Sequence, residues 1–433
     1  MKRKTILALL TSLACFSLAA ETLENKPEDP SLAKFNPAPA PKADGLFLKP
    51  GDHLAICGDS ITEQKLYSRA IETYLTVCTP ELQISTRQYG WGGETAEGFL
   101  RRMTNDVLRF KPTIATTCYG MNDHKYRPFD EANGEWFRSN MTQVVEGFKG
   151  IGTRVVLGSS GCVGSRPFWS KDPTYTKDAL NFNLCQFRNI DIDIAQKENV
   201  RFADVFWPMI VADANSQKEF GENYHIAGKD GVHPAWAGHM VMAAAFLRAL
   251  GLDGKIGEFT VNLKSNEADV SKGHELVSFK DGELIIKSSR YPFCGTGDRS
   301  HDDTVRSGMR FSKLNYDLNR FVLIVKNGTA EKYKVTWGNE TKSFSAESLG
   351  RGINLADLFP LNPFSENFDK VDAAVADKQA YETRQIKDLF HGREGAADMN
   401  LTAELTEKAR QPLVDKIQKS FVPVTHTIRI VAE

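Results

Sequence analysis

The stretch AICGDSITEQ, residues 55–64, ends an apolar run with a glycine, an aspartate and a serine. The run before them is typical of a buried β-strand, and the residues after them have the spacing of a helix. Gly58 tolerates a tight turn, while Asp59 and Ser60 are residue types common at the first turn of a helix. The stretch therefore predicts a strand, a sharp turn and a helix. A turn alone is enough to explain it unless other motifs point to the same place.

Apolar runs and helix-like segments alternate over residues 50–252. Runs typical of strands recur in LQISTRQYG, PTIATTCYG, TRVVLGSS and VRFADVF, each followed by a segment with helical spacing. This alternation predicts right-handed crossovers and a parallel sheet with helices on both faces, which is a doubly wound α/β domain. Such folds bind ligands beyond the carboxyl ends of their strands, where Ser60 lies.

The charge of the chain is nearly balanced. The 433 residues include 54 basic and 55 acidic side chains, for a formal net charge of -1. No nucleic-acid partner is expected, because no excess of lysine and arginine is present to neutralise phosphates. The length exceeds that of one compact domain, and the composition leaves the oligomeric state open.

The first 49 residues predict an exported protein. Residues 1–20 have the order of an export signal, with a basic start, an apolar stretch and small residues before Glu21. Residues 21–49 contain several prolines and little apolar periodicity, which predicts an extended, Pro-rich tether. No later apolar run reaches the length of about 20 residues that a membrane span needs. We therefore expect a periplasmic or secreted protein without a membrane span.

The pattern changes over residues 253–433. Strand-like runs separated by Asp-Gly, Asn-Gly and Gly-Asn turn pairs predict antiparallel β-hairpins over about residues 255–345. Helical spacing then predicts helices over about residues 364–421, with Pro412 as a break or kink. We expect an accessory region that is β-rich first and helical afterwards. The six cysteines outside the signal leave both disulfides and buried free thiols open.

Three further motifs supply the groups that a nucleophilic serine needs. A serine hydroxyl must lose its proton as it attacks an ester, so a neutral imidazole has to accept that proton and a carboxylate has to orient the imidazole. The segment KDGVHP offers Asp230 and His233 for these roles, with Ser60 as the nucleophile. The negative oxygen of the intermediate needs fixed donors. The sequence offers the N–H of Ser60, the N–H of Gly93 in YGWGGETAEGF and the side-chain amide of Asn122 in YGMNDH. This chemistry requires neither a metal nor a cofactor, and we expect none.

These four segments, in this order, resemble the four blocks that define the SGNH hydrolases, which include the GDSL esterases and lipases. The resemblance covers about residues 54–250 and rests on GDSIT, GGET, GMND and DGVHP. It implies a flavodoxin-like sheet and a catalytic triad of Ser60, Asp230 and His233. It also implies an oxyanion hole formed by Ser60, Gly93 and Asn122. One departure is that the second block often has an asparagine shortly before its glycine, where this chain has Gln88 and Tyr89.

Two tryptophans flank the catalytic motifs. Trp91 lies two residues before Gly93, and Trp236 lies three residues after His233. A flat apolar ring with a polar N–H suits a sugar, although core packing explains tryptophans as well. We therefore expect an exported serine esterase that hydrolyses O-acyl esters on carbohydrate, O-acetyl esters above all, an activity common in families similar to this one.

The expected partner is thus a small-molecule or polysaccharide ester. The sequence leaves two alternatives to this function. One is a lipid esterase or thioesterase with the same triad. The other is a non-catalytic carbohydrate-binding protein on the same fold, with residues 253–433 as its recognition surface.

Overall fold

The computed structural model describes residues 30–433, so the predicted export signal over residues 1–20 and the start of the predicted tether lie outside the described residues. The first sheet consists of β1 (His53–Gly58), β2 (Ser85–Gly90), β3 (Ile114–Cys118), β4 (Arg154–Gly158) and β5 (Arg201–Ala203). The strand order is β2-β1-β3-β4-β5, and every neighbouring pair is parallel. The predicted flavodoxin-like, doubly wound sheet is confirmed.

Helices cover both faces of this sheet. They are α1 (Ser60–Glu63), α2 (Tyr67–Val77), α3 (Ala96–Asp106), α4 (Glu131–Lys149), α5 (Lys177–Glu198), α6 (Phe206–Phe220) and α7 (Trp236–Ala249). In β1, Leu54 and Ile56 belong to the core on the side of α2 and α7, whereas Ala55 and Cys57 belong to the core on the side of α3 and α4. Both faces of β1 are buried, which is why its sequence is a continuous apolar run.

The central strands end together at one edge of the sheet. Gly58 of β1 pairs with Gly90 of β2 on one side and with Cys118 of β3 on the other. A side chain at Gly90 would collide with the backbone of Thr62 and Glu63, so α1 can cross the end of β2 only next to a glycine. The loops that follow β1, β2 and β3 therefore open at the same edge.

Residues 30–49 pack on the α/β domain, which corrects the predicted tether over its described part. The segment starts with a 3₁₀ turn, Pro30–Leu32. Leu32, Phe35 and Leu48 are buried in the core on the side of α2 and α7. The prolines disfavour regular helix, but the apolar side chains between them gain hydrophobic contacts by covering the domain surface.

The accessory region, residues 253–433, contains two sheets. Its strands are β6 (Lys255–Asn262), β7 (Glu267–Val270), β8 (His274–Lys280), β9 (Glu283–Ser288), β10 (Arg320–Lys326), β11 (Lys332–Trp337), β12 (Glu340–Ser345), β13 (Ile353–Asn354) and β14 (Val424–Ala432). One sheet has the order β13-β10-β6-β7, and the other has the order β12-β11-β14-β9-β8. The strand β14, for which we made no prediction, pairs with both β11 and β9 and so completes the second sheet.

Two of the three predicted hairpin turns are confirmed. Asp281-Gly282 joins β8 to β9, and Gly338-Asn339 joins β11 to β12. The prediction for Asn327-Gly328 is wrong, because β10 lies parallel to β6 in the first accessory sheet while β11 belongs to the second. An Asn-Gly pair permits any sharp reversal of the backbone, so the same local signal serves a passage between two sheets.

The helices of the accessory region are α8 (Val305–Phe311), α9 (Leu314–Asp317), α10 (Ala346–Arg351), α11 (Leu355–Leu358), α12 (Ser365–Arg384), α13 (Arg393–Ala397) and α14 (Met399–Ser420), with a π-helical turn at Gln385–Phe390. The helices predicted over about residues 364–421 are confirmed, whereas α8 and α9 interrupt the predicted run of hairpins. Of the break or kink predicted at Pro412, the break is wrong, since α14 continues through this residue. Pro412 and Lys408, whose carbonyl loses its partner, both lie on the exposed side of α14, where water can satisfy that carbonyl.

Buried charges join α12 and α14 to the α/β domain. The Lys378 ammonium lies 3.0 Å from Glu72 on α2 and 2.7 Å from Glu382, and it donates to the Thr86 carbonyl on β2 at 2.8 Å. Arg410 on α14 also contacts Glu382, at 2.7 Å. Burial would raise the pKa of Glu382, but Lys378 and then Arg410 outweigh it and hold that pKa below its ordinary value. The accessory helices are therefore anchored beside β2.

Within residues 30–433, no helix combines the length and apolar character that crossing a membrane requires. The same residues hold no group of three or more His, Cys, Asp or Glu side chains arranged to bind a metal ion. The six cysteines of this part are free and buried: Cys57, Cys78, Cys118, Cys162, Cys185 and Cys294. Buried thiols of this kind act as small apolar side chains.

Candidate active site

Ser60 is the first residue of α1, at the turn that ends β1. The carboxylate of Asp59 caps this helix by accepting the N–H of Ile61 at 2.9 Å. Asp59 is buried, and burial raises its pKa to about 7 against the opposing effect of that hydrogen bond. The cap holds Ser60, which is partly exposed, at the edge where the strands end.

Ser60, His233 and Asp230 form one chain of hydrogen bonds. Ser60 Oγ lies 2.8 Å from His233 Nε2, and His233 Nδ1 lies 2.7 Å from Asp230 Oδ2. The other oxygen of Asp230 accepts the backbone N–H groups of Val232 and His233 at 2.9 and 2.8 Å. Partial burial would raise the pKa of Asp230, but the hydrogen bonds from His233 and Val232 outweigh it and lower that pKa. An ionised Asp230 only accepts, so Nδ1 carries the ring hydrogen and Nε2 is left to accept the hydrogen of Ser60.

Two glycines shape the turn that carries Asp230 and His233. Gly228 has a φ of +86°, and a side chain there would collide with the carbonyl of His233. Gly231 has a φ of +83° and lies against the backbone of Ser165. Both positions need the left-handed conformation that glycine adopts without strain. The turn brings the imidazole back over the end of β1, close to the serine.

The three predicted oxyanion donors lie on the loops after β1, β2 and β3. In the described residues, the N–H groups of Ser60 and Gly93 have no hydrogen-bond partner. Gly93 has a φ of +72°, and no atom lies within 4 Å of the position that a Cβ atom would take there. Asn122 donates from Nδ2 to the carbonyl of Glu94 at 3.0 Å, and the hydroxyl of Tyr126 donates to its Oδ1 at 3.2 Å. These bonds orient the amide and leave one of its N–H groups to donate.

A buried network that sequence reasoning missed joins the second and third loops. The two carboxylate oxygens of Glu94 accept Nε–H and Nη2–H of Arg102 at 2.6 and 2.7 Å, and the hydroxyl of Tyr119 donates to Glu94 at 2.9 Å. Asp123 accepts the N–H of Ala96 at 2.8 Å. Glu94 and Asp123 belong to the GGET and GMND motifs, which was the available signal, but Arg102 lies outside every motif. The network stiffens the two loops that carry Gly93 and Asn122, two of the predicted oxyanion donors.

Gln88 supports the turn where this chain departs from the second family block. Its Oε1 accepts the N–H of Gly90 at 2.5 Å, and its Nε2 donates to Thr383 on α12 at 2.5 Å. The backbone N–H of Gln88 donates to Glu382 at 3.2 Å. The turn before Gly93 is therefore hydrogen-bonded in this chain, with partners supplied by the accessory region.

Trp91 and Trp236 are partly buried and have cationic neighbours. Arg102 and Lys387 lie over the ring of Trp91, 5.1 and 5.2 Å from its centroid. Arg69 lies over the ring of Trp236 at 5.5 Å. Part of each ring is thus occupied within the protein, and sugar stacking on either tryptophan stays a prediction.

Trp169, which sequence reasoning missed, contacts His233 of the predicted triad. Its ring centroid lies 6.0 Å from that of His233 and 5.7 Å from that of Tyr126, the residue that donates to Asn122. Phe168 packs on Trp169 at 4.9 Å and is 86% exposed. We call Tyr126, Phe168 and Trp169 the aromatic wall. Two of its members lie in the loop between β4 and α5, which contains none of the four motifs, so no sequence signal linked them to His233.

Comparison with known proteins identifies relatives of the first domain. The GDSL-like lipase/acylhydrolase family matches residues 56–241. An acetylxylan esterase from Geobacillus stearothermophilus is 26% identical over 225 residues, which are 48% of this chain and 94% of that protein.

A solved structure shares the fold beyond the first domain. A gut microbial diltiazem-metabolizing enzyme superposes with a TM-score of 0.73 at 20% sequence identity, over 90% of this chain and 100% of that chain. Because the superposition covers 90% of this chain, the solved structure shares the fold of the accessory region as well as that of the first domain. Residues 56–241, with their four motifs and their flavodoxin-like sheet, thus match the GDSL-like lipase/acylhydrolase family, which supports the resemblance to the SGNH hydrolases.

Proposed function

We propose that this protein is an exported serine esterase that hydrolyses O-acyl esters on carbohydrate, O-acetyl esters above all. The observation that carries the proposal is the hydrogen-bonded chain of Ser60, His233 and Asp230 beside the candidate donors Ser60, Gly93 and Asn122. A serine with a base, an orienting carboxylate and fixed donors is the arrangement that acyl transfer needs.

In the first half of the proposed reaction, Ser60 Oγ attacks the ester carbonyl carbon and its proton passes to Nε2 of His233. Asp230 stabilises the resulting imidazolium through Nδ1. The carbonyl oxygen becomes negative and accepts hydrogen bonds from Ser60, Gly93 and Asn122. The bond to the alcohol oxygen then breaks, His233 returns the proton to the leaving alcohol, and an acyl-serine remains.

In the second half, water takes the place of the alcohol. His233 accepts a proton from the water, whose oxygen attacks the acyl-serine carbonyl. The bond to Ser60 breaks, and the proton returns to Ser60 Oγ. One ester and one water thus become one alcohol and one carboxylic acid, and both side chains are regenerated.

The aromatic wall favours a short acyl group. Tyr126 bonds the amide of Asn122 and packs edge to face on Trp169, which packs on His233. Rigid rings that connect the oxyanion amide to the base leave less room for a long acyl chain than flexible aliphatic side chains would. Trp169 and the exposed Phe168 also offer flat faces that suit a sugar ring. The acetylxylan esterase among the relatives supports the choice of an acetylated carbohydrate.

Export is part of this proposal. It is supported by the basic start and apolar stretch of residues 1–20. The full chain is to be expressed in a bacterial host, and the N-terminus of the protein in the periplasm and medium sequenced. Uncleaved protein retained in the cytoplasm would contradict export.

The proposed activity is tested with para-nitrophenyl acetate, butyrate and octanoate, beside acetate release from acetylated xylan and acetylated pectin. We expect kcat/KM to be highest for the acetate and acetate to be released from at least one polysaccharide. Ser60→Ala, checked for an unchanged circular dichroism spectrum, should lower kcat by about 10⁴-fold or more.

The same assays address the two alternatives. A rise of kcat/KM toward octanoate, with no acetate released from either polysaccharide, would replace the carbohydrate ester by a lipid or thioester substrate. Polysaccharide binding without hydrolysis of any ester would favour the non-catalytic alternative.

A further inference from the structure

A cavity of about 1050 Å³ lies in the accessory region, outside the triad. Its lining comes from α8, α9, the start of β10 and the segment from the end of α10 to α11. Six of the lining side chains are cationic: Arg299, Arg306, Arg310, Lys313, Arg320 and Arg351. Among the described residues, Asp357 is the one carboxylate in the same lining. The chain as a whole is nearly neutral, so this cavity concentrates positive charge locally.

Most of these cations form no ion pair within the described residues. Arg310 pairs with Glu219 and Arg351 pairs with Glu347, both in exposed ion pairs. In residues 30–433, the other four cations have no carboxylate within ion-pair distance: Arg299, Arg306, Lys313 and Arg320. Four unpaired cations around one cavity repel one another unless an anion lies between them.

Two of the guanidinium groups also have hydrogen-bonding capacity left over. Among the described residues, Nε of Arg306 and Nε of Arg320 are buried without a hydrogen-bond partner. Burial and then the positive charge of Arg299 lower the pKa of Arg306 below its ordinary value, against the opposing effect of the nearby carboxylates Glu340, Asp357 and Asp298. Both Nε atoms are closed off from the cavity itself, so an anion there would bind through the outer nitrogens of these guanidinium groups.

The chemistry of the lining indicates what the anion is. Guanidinium groups bind carboxylate and sulfate oxygens with two parallel hydrogen bonds. Tyr316 is 82% exposed at this cavity and offers a flat face to a sugar ring. The volume is in the range of pockets that hold organic ligands and exceeds what a single inorganic anion needs. The ligand that fits these features is a sugar that carries an anionic group.

The wall of the cavity is joined to the segment that carries the catalytic base. The carbonyl of Asp302 accepts the N–H of Ala237 at 2.9 Å, and its carboxylate accepts the N–H of His225 at 3.0 Å. Asp302 lies between Arg299 and α8, and α8 packs on α7, which follows His233. One polysaccharide chain bound near α8 therefore lies next to the catalytic domain.

We propose that this cavity binds an acidic sugar unit, bearing a carboxylate or a sulfate, of the polysaccharide whose ester is cleaved. The inference rests on the proposed function for the identity of the polymer. The binding itself does not depend on turnover. The cavity would thus select acidic polysaccharides over neutral ones.

Binding is measured by calorimetry on the full chain carrying Ser60→Ala. The probes are a tetragalacturonate, the same tetrasaccharide with every carboxylate methyl-esterified, a sulfated carrageenan tetrasaccharide and sodium sulfate. We expect at least one acidic tetrasaccharide to bind about tenfold or more tightly than the esterified one, and its affinity to fall as salt is added. The two acidic tetrasaccharides distinguish carboxylate from sulfate as the recognised group.

The cavity is assigned with the double variant Arg299→Gln/Arg306→Gln. Its matched control, Arg101→Gln/Arg429→Gln, removes two charges from exposed salt bridges elsewhere. We expect the first pair to weaken acidic-sugar binding about tenfold or more and the second pair to leave it unchanged. The proposal would be overturned if the protein with an unsubstituted cavity bound the acidic and the esterified tetrasaccharides equally well. It would also be overturned if both double variants lost the same affinity for the acidic tetrasaccharides. Binding of sodium sulfate with no preference among the tetrasaccharides would overturn the saccharide assignment.

Hydrolysis of para-nitrophenyl acetate separates this inference from the proposed function. With Ser60 present, the Arg299→Gln/Arg306→Gln enzyme should hydrolyse this neutral ester at the rate of the wild type. A wild type that hydrolyses no ester but binds acidic sugars in this cavity would refute the esterase proposal and retain the binding site.

Discussion

Replacing Asp230 by asparagine separates the two roles of this carboxylate. Oδ1 accepts two backbone N–H groups, at 2.9 and 2.8 Å, while Oδ2 lies 2.7 Å from Nδ1 of His233. In Asp230→Asn the amide oxygen takes the place of Oδ1. The opposite orientation would point the NH₂ group at two N–H donors, and each unsatisfied donor costs about 1–3 kcal/mol. The NH₂ group therefore faces Nδ1.

An NH₂ group that faces Nδ1 selects the wrong tautomer of His233. Nδ1 has to accept, so the ring hydrogen moves to Nε2, which lies 2.8 Å from Ser60 Oγ and can no longer take its proton. We expect kcat to fall by about 10⁴-fold, which is about 5.4 kcal/mol of barrier, with little change in KM.

The assay is steady-state hydrolysis of para-nitrophenyl acetate, combined with thermal unfolding followed by circular dichroism. Asp230→Ala is the matched control, because it loses the two backbone acceptor contacts as well as the ring contact. Both variants should lose activity, but Asp230→Ala should also lose about 1–3 kcal/mol of unfolding free energy, and Asp230→Asn should not. An Asp230→Asn enzyme that retains more than a tenth of the wild-type kcat would refute the reasoning.

The oxyanion amide, the helix cap and the accessory helices are tested separately. Asn122→Ala should lower kcat about 10²- to 10³-fold, because its amide donates mainly to developing charge, and steady-state rates that change only in KM would count against this role. Burial raises the pKa of Asp59 to about 7. The protonated form of Asp59 therefore stabilises the folded protein. This contribution to the free energy of unfolding is fully present below the unfolded-state pKa of Asp59, and it falls by at most about 1.4 kcal/mol per pH unit as pH rises toward 7. Urea unfolding of Asp59→Asn should lack this loss, and parallel pH profiles for variant and wild type would contradict the prediction. Lys387 lies 2.6 Å from Glu63, and Glu63 accepts the N–H of Gly92, which precedes Gly93. We expect Lys387 to position the loop of Gly93 through this contact. Lys387→Met should therefore lower kcat by up to about fivefold in the same ester assay. Lys387→Arg should restore the rate, and equal loss in both variants would oppose this role.

Much of the first domain was predictable because its signals are local. The residues of β1 form an unbroken apolar run, since Ile56 packs on one face of the sheet and Cys57 on the other. The motifs located Ser60, Asn122 and His233 because each stands at or near the turn that positions it. The structure adds the reason that these turns are stiff, which is a set of partners such as Arg102 that no motif contains.

The accessory region was predicted less well, because its sheets are assembled from distant segments. The Asn-Gly pair at residues 327–328 has the chemistry of a hairpin, yet β10 pairs with β6, whose sequence lies more than fifty residues earlier. The partner of a strand depends on which unpaired edge the folded chain presents to it. Turn chemistry therefore predicts where the chain reverses but not which strands become neighbours.

By itself the sequence determined the alternation of strands and helices and the sharp turns, and it predicted the candidate catalytic side chains. Periodicity and turn chemistry act between residues that are close in the chain, so they can be read without the fold. Only the tertiary structure decided which groups meet: Ser60 and His233 are 173 residues apart, and Glu63 and Lys387 are 324 residues apart. The contact of Trp169 with His233 and the gathering of arginines around the accessory cavity are of the same kind. Such contacts follow from the path of the whole chain, and the residues that make them carry no repeating pattern that would reveal their partners.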